Sequence, residues 1–184
     1  MQSLPTDRSL PARERILATA SRLFYQDGLR ATGIDRIIAE SGVAKMSFYR
    51  HFPSKADLVR AFLEARHRSW MQWFAAAVEK RLEKQGFAGL AGALEEWFAQ
   101  PDFRGCAFIN TVAETGRDFP QAIVHKRELA SFVAALAERL RLRSPALAAA
   151  KAMIIIEGMI VRAQMGETDR LAEIASQMLA EIAN

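Results

Sequence analysis

Gly42 stands between two short segments with helical spacing, Ile34 to Ser41 (IDRIIAES) and Lys45 to Phe52 (KMSFYRHF). A glycine there supplies the positive φ that a sharp turn between two helices demands. The pair reads as a helix-turn-helix, whose second helix can lie in a DNA major groove. Phe48 and Phe52, four residues apart, share one face of that helix and point inward with Val43, towards Ile37 and the preceding helix. Lys45, Met46, Ser47, Tyr49 and Arg50 are left facing out. Lysine and arginine reach phosphates or guanine edges, the hydroxyls bond phosphate oxygens, and methionine meets a thymine methyl. The competing reading is an ordinary solvated face. Against it, a tyrosine exposed beside a methionine on so short a helix calls for a partner that covers them.

Helical periodicity runs through the rest of the chain. Ile16, Leu17, Ala20, Leu23 and Phe24 space an amphipathic helix over Pro11 to Asp27, and Gly28 stops it. Pro53-Ser54 breaks the third helix, and Ser54 caps a fourth. Further helices are expected over roughly 54–84, 87–99, 105–114, 121–142, 145–165 and 169–182, with glycines and prolines between them. Period-2 alternation bounded by hairpin turns is absent, so the fold is expected to be all-α with about nine helices. With 51% apolar and 25% charged residues among 184, the chain can bury a core.

The opening MQSLPTDRSL has no apolar signal region, and no apolar run approaches membrane-spanning length. A soluble, cytoplasmic protein with no membrane partner is expected. Cys106 is the only cysteine and His51, His67 and His125 lack ligand spacing, so no disulfide, metal or other cofactor is expected. No nucleophile and base stand in a motif, so no enzyme is expected either. Up to Arg68 there are 12 Lys and Arg against 7 Asp and Glu, and beyond it 13 against 14. The excess positive charge belongs to the N-terminal third, as in a polyanion binder with a second function attached.

The stretch RERILATASRLFYQDGLRATGIDRIIAESGVAKMSFYRHFPSKADL resembles the N-terminal DNA-binding domain of the TetR family of bacterial transcriptional regulators. R-x-x-I-L-x-x-A, F-x-x-x-G-x-x-x-T, I-x-x-I and G-V-x-K-x-x-F-Y-x-H-F-x-S-K-x-x-L follow in order at family spacing. About fifteen matches over some 45 residues make this far more specific than a lone motif. The resemblance implies a three-helix DNA-binding domain over 1–55, linked through the helix that starts near 54, and a helical ligand-binding and dimerisation domain over 56–184. It places Lys45, Ser47, Tyr49 and His51 on the recognition helix and its exit, with Met46 among them. Lys55, and Thr32 with the Gly33 backbone, would meet phosphates at helix N-termini, and Arg50 would read a base. Ala44, Gly33, Met46 and Ile38 depart from common family residues, so no operator sequence is carried over.

The same resemblance makes the last two helices a four-helix dimer interface, here through Met153, Ile156, Ile160, Ala163, Ile174 and Met178. Packing of these stripes on the body is the alternative. In the middle of the chain, Trp70, Trp73, Phe74, Trp97 and Phe108, with Asn110, Glu114 and His125 as nearby polar groups, are the candidate lining of an effector site. Aromatics at helical spacing are more often plain core. The implied function is a homodimeric regulator, a ligand-responsive repressor on a palindromic double-stranded operator, with a small apolar or aromatic effector. The alternatives are an activator, an effector-independent regulator, or a helical interaction module or enzyme that keeps the fold without binding DNA.

Overall fold

The structure, a computed structural model, describes residues 9–183. Residues 1–8, which hold most of the stretch read for a signal region and the start of the expected 1–55 segment, lie outside the described residues, as does residue 184. Nine α-helices and one 3₁₀ turn (Gly86–Ala88) follow one another among the described residues: α1 Ala12–Asp27, α2 Ile34–Ser41, α3 Lys45–His51, α4 Lys55–Gln85, α5 Gly89–Phe98, α6 Ala107–Thr115, α7 Gln121–Arg139, α8 Pro145–Gln164 and α9 Leu171–Ala183. No described helix is long and apolar enough to cross a membrane.

Local chemistry sets the ends of these helices. Gly42 takes φ 63° at the end of α2 and donates its N–H to the Ala39 carbonyl, the turn its residue type foretold. Ser54 Oγ accepts the Asp57 N–H at 3.1 Å and donates to the Asp57 carboxylate at 2.7 Å, a reciprocal cap that starts α4. One end departs from expectation. α7 stops at Arg139 rather than near Leu142, because Arg141 adopts φ 55° while the Leu142 N–H bonds Ala137 O and the Arg141 N–H bonds Glu138 O. This is a Schellman closure with arginine where glycine is usual.

The described chain forms two compact units. The first runs to Arg68 and takes in Cys106–Ile123; the second comprises Ser69–Gly105 and the chain from Val124 onward. The expected boundary after Lys55 therefore lies further along, within α4, and α6 belongs with the N-terminal helices. In the first unit α1 packs on α2 and α3. Ile16, Leu23 and Phe24 of α1, Ile37 of α2, Phe48 of α3 and Leu58, Phe62 and Leu63 of α4 are buried together, with the Phe24 and Phe62 rings 5.6 Å apart. The first two turns of α4 are thus core of this unit, which is why the unit extends past Lys55. In the second unit, Trp70 stacks on Phe74 at 4.7 Å and meets Trp97 edge-on at 5.3 Å. There α5, α8 and α9 pack on one another, burying Leu90, Leu94, Ile156, Ile160 and Leu179.

Candidate nucleic-acid interface

The side chains of α3 divide between core and solvent. Phe48 and Phe52 are buried, as is Val43 just before the helix, and the Phe52 ring carries the Arg13 guanidinium 5.2 Å from its centroid. On the other side Lys45, Met46, Tyr49 and Arg50 are exposed and Ser47 and His51 half-buried. Met46 is 78% exposed, which leaves a flexible apolar side chain in water beside two cations. The Tyr49 ring is held edge-on to Phe48, centroids 5.3 Å apart, so its position is tied to the core although it faces solvent. Two flat or flexible groups between two cations on one rigid face suit a groove that offers phosphates at its walls and base edges at its floor.

Ion pairs hold the platform beneath α3. Glu40 of α2 pairs with Arg22 of α1 and with Arg36 one turn back on its own helix at 2.8 Å, and Arg36 reaches Asp27 of α1 at 2.7 Å. The Arg22 guanidinium, and after it that of Arg36, hold the Glu40 carboxyl below the usual carboxylate range. Glu40, and after it Asp27, push Arg36 up. These pairs tie α2 to α1. Lys45 pairs with Asp35 at 3.4 Å; both are highly exposed, so this contact is weak and competes with any phosphate for the lysine.

Thr32 requires a correction. It is fully buried, and its hydroxyl donates to Gly28 O at 2.7 Å, with Leu23 O at 3.4 Å. It closes the turn after α1 instead of facing a phosphate, because the hydroxyl bonds the carbonyl of Gly28, just past the end of that helix. Gly33 is exposed at the N-cap of α2 with an extended φ of −81°, a backbone any residue adopts. Lys55, half-buried, is the first residue of α4, where the Asp57 carboxylate already occupies the first turn and pairs with Arg60 at 2.8 Å.

The expected effector residues fall into two groups. Trp70, Trp73, Phe74, Trp97 and His125 lie in the second unit, where Trp70 meets Phe74, Trp97 and the buried His125 ring, the last at 5.3 Å, and Trp73 stays half-buried. The Trp70 indole N–H is buried and bonds no protein acceptor. Phe108, Asn110 and Glu114 lie on α6 in the first unit. Phe108 meets the His67 ring edge-on at 6.5 Å. Glu114 and Asn110 line a crevice with Phe24, Tyr25 and Phe62 of about 10 Å³, room for about one water and far below a ligand pocket.

The expected interface stripe is also corrected. Ile156, Ile160 and Ala163 are buried within their own unit with Ala149, Ala152 and Met159, so that face of α8 serves the body; Met153 is half-buried. Ile174 and Met178 of α9 are exposed and line a groove with Ile154 of α8, which, like the exposed Val161, the sequence reading passed over. Two adjoining grooves of about 500 and 380 Å³ run along this outer face, edged by Arg162 and Asp169 and by Lys151 and Glu181. Leu147, Ile154 and Val161 recur at seven-residue spacing, but so do Ala149, Ile156 and Ala163 of the buried face, and the repeat alone does not tell one face from the other. Among the described residues no cluster of His, Cys, Asp and Glu could hold a metal.

Residues 16–62 match the model of the bacterial regulatory proteins of the tetR family. Over 43 residues, 23% of this chain and 22% of the relative, the sequence is 54% identical to the uncharacterized HTH-type transcriptional regulator YxaF of Bacillus subtilis (strain 168). The chain thus matches about a fifth of the length of such curated relatives. Solved structures extend the likeness. SCO4454, a TetR-family transcriptional regulator from Streptomyces coelicolor, superposes with a TM-score of 0.83 at 28% identity over 94% of this chain and 88% of that one. For sav143 from Streptomyces avermitilis, a TetR-type regulator by its description, the values are 0.78, 26%, 95% and 98%.

Proposed function

We propose, from the premise that this chain belongs to the TetR family of bacterial regulatory proteins, that it is a cytoplasmic, sequence-specific DNA-binding regulator of transcription. In this reading it acts as a homodimer on a palindromic operator and represses until a small apolar or aromatic effector releases it. The observation that carries the reading is α3: one face locked into the core by Phe48 and Phe52, the other offering Lys45, Met46, Tyr49 and Arg50 to a groove.

Two further features support the details. A two-fold contact joins a patch to its own copy, so the patch needs apolar area and both charge signs. The outer face of α8 and α9 has both, with Ile154, Val161, Ile174 and Met178 flanked by Lys151, Arg162, Asp169 and Glu181. Such a dimer sets two α3 helices about one DNA turn apart, roughly 34 Å. For the effector, the buried Trp70 N–H among Phe74, Trp97 and His125 favours an aromatic molecule bearing an acceptor, since pairing a buried donor recovers its desolvation cost. The effector then shifts the population towards the arrangement that fits DNA poorly.

Selection of random duplexes by the purified protein tests this, followed by titration of the enriched sequence at two salt concentrations. An enriched palindrome, bound with a steep salt dependence from released counterions, is the expected result. No enrichment over bulk DNA would refute the reading.

A further inference from the structure

Glu114, one residue before the end of α6, sets its carboxylate into the turn that follows α1. The Leu29 N–H donates to Oε1 at 3.1 Å and the Arg30 N–H to Oε2 at 2.8 Å. Consecutive backbone amides converging on one anion form a nest. Gly28 shapes it with φ 90°, and a Cβ there would stand 3.0 Å from the same Oε1. The positive φ favours glycine there, and a Cβ would in addition press the Glu114 carboxylate back by a few tenths of an ångström. Thr32 closes the far side of the turn on Gly28 O, and Gly33 then opens α2. The turn thus has α1 at one end, α2 at the other, and α6 fastened to its middle by charge-assisted bonds. α6 itself is a short rod bounded by Gly105 at φ 79° and Gly116 at φ 68°.

We propose that Glu114 is a positioning residue for DNA binding: its seat on the Leu29 and Arg30 amides sets where α2, and with it α3, stands. The proposal rests on α3 being the helix that reads DNA; Glu114 itself touches none. Hydrogen bonds to an ionised acceptor are roughly twice as strong as neutral ones, so removing the carboxylate loosens the middle of the turn and leaves Thr32 and the ion pairs among Arg22, Asp27, Arg36 and Glu40 to hold α2 on α1. α2 and α3 then sample more arrangements, and the apparent dissociation constant rises as the inverse of the competent fraction. Glu114 is only half-buried, so water replaces it on the two amides, and the Phe24–Phe62 core beneath keeps the unit folded.

The test uses the full chain and the duplex that wild type selects. Glu114→Ala is expected to bind about tenfold more weakly, as for a competent fraction cut to a tenth, with Glu114→Gln, which keeps one acceptor, between it and wild type. The salt slope stays that of wild type, because no phosphate contact has been lost. In both variants the Leu29 and Arg30 amides exchange faster while the far-ultraviolet circular dichroism is unchanged. Affinity within twofold of wild type, with those amides deprotected, overturns the proposal and leaves Glu114 a stabilising bond. Should the alanine variant fail to fold, the glutamine variant decides by the same criterion. A wild-type protein that selects no duplex overturns instead the reading of α3, and the proposal with it.

Discussion

If the chain pairs through the outer face of α8 and α9 as proposed, replacing Ile154 by aspartate is expected to leave it monomeric with the fold intact, whereas the same change at Ile156, two residues on, is expected to unfold the second unit. Ile154 is 75% exposed in the protomer and Ile156 0%. Full burial of an isoleucine stabilises by about 1.5–3 kcal/mol, so Ile154 has about 1–2 kcal/mol left to gain on association, counted twice by two-fold symmetry. An aspartate in its place adds the desolvation of a carboxylate, a further few kcal/mol. A total near 5 kcal/mol weakens dimerisation by about three to four powers of ten. At Ile156 the lost burial and the unpaired charge fall on the folded protomer and together exceed about 4 kcal/mol, a large share of a domain's stability. Sedimentation equilibrium at micromolar protein, with thermal melts followed by circular dichroism, separates the two outcomes. A folded Ile156→Asp together with an Ile154→Asp that stays dimeric would refute the assignment of the two faces of α8.

Arg50→Ala and Tyr49→Ala are each expected to weaken operator binding by about 1–3 kcal/mol, the worth of a base-edge contact, in fluorescence titrations of protein whose circular dichroism is that of wild type. If both bind normally, α3 is not the reading helix. Thr32→Val keeps the shape but loses the donor to Gly28 O, so it should lower the stability of the first unit by about 1–2 kcal/mol in denaturant titration. Its salt slope on operator should stay that of wild type; a slope reduced by about one contact would return Thr32 to a phosphate. Because Arg22 and Arg36 depress the folded pKa of Glu40, its contribution to stability is complete above the ordinary carboxylate range and is lost as pH falls through the lowered value. Stability curves of wild type and Glu40→Gln should therefore separate near neutral pH and converge in acid; a gap that persists in acid would rule out the ion pairs as its source.

Much of the first unit was legible because its signals are local. Gly42 had to turn, Phe48 and Phe52 had to share a face, and Ser54 after Pro53 had to start a helix; each depends only on neighbours within a few residues. The end of α7 was not, because Arg141 takes a left-handed position that sequence reading reserves for glycine. The faces of α8 were ambiguous for a different reason. Both Ala152, Ile156 and Met159 and Leu147, Ile154 and Val161 are apolar stripes at helical spacing, and only the neighbours, α5 and α9, decide which one is covered. Repeat did not help either, because the buried Ala149, Ile156 and Ala163 recur at seven residues just as the exposed Leu147, Ile154 and Val161 do.

The polar residues of the site divide along the same line. Lys45, Tyr49 and Arg50 lie on a helix whose inward face is unmistakable, so their exposure follows from Phe48 and Phe52 without knowledge of the rest of the chain. Thr32 and Glu114 have no such reference. A threonine just ahead of a helix can turn its hydroxyl outward to an anion or back to the carbonyls of the helix before it, and the choice depends on whether those carbonyls have other partners. Here Gly28 O lies 2.7 Å from the hydroxyl, and the inward bond wins. For Glu114 the partners are two amides that lie 84 and 85 residues earlier and carry no side-chain signature at all. A glutamate on a short helix shows in the sequence as a polar group among aromatics; that it fastens α6 to the turn before α2 emerges only when the backbone of Gly28 has curled its amides towards it.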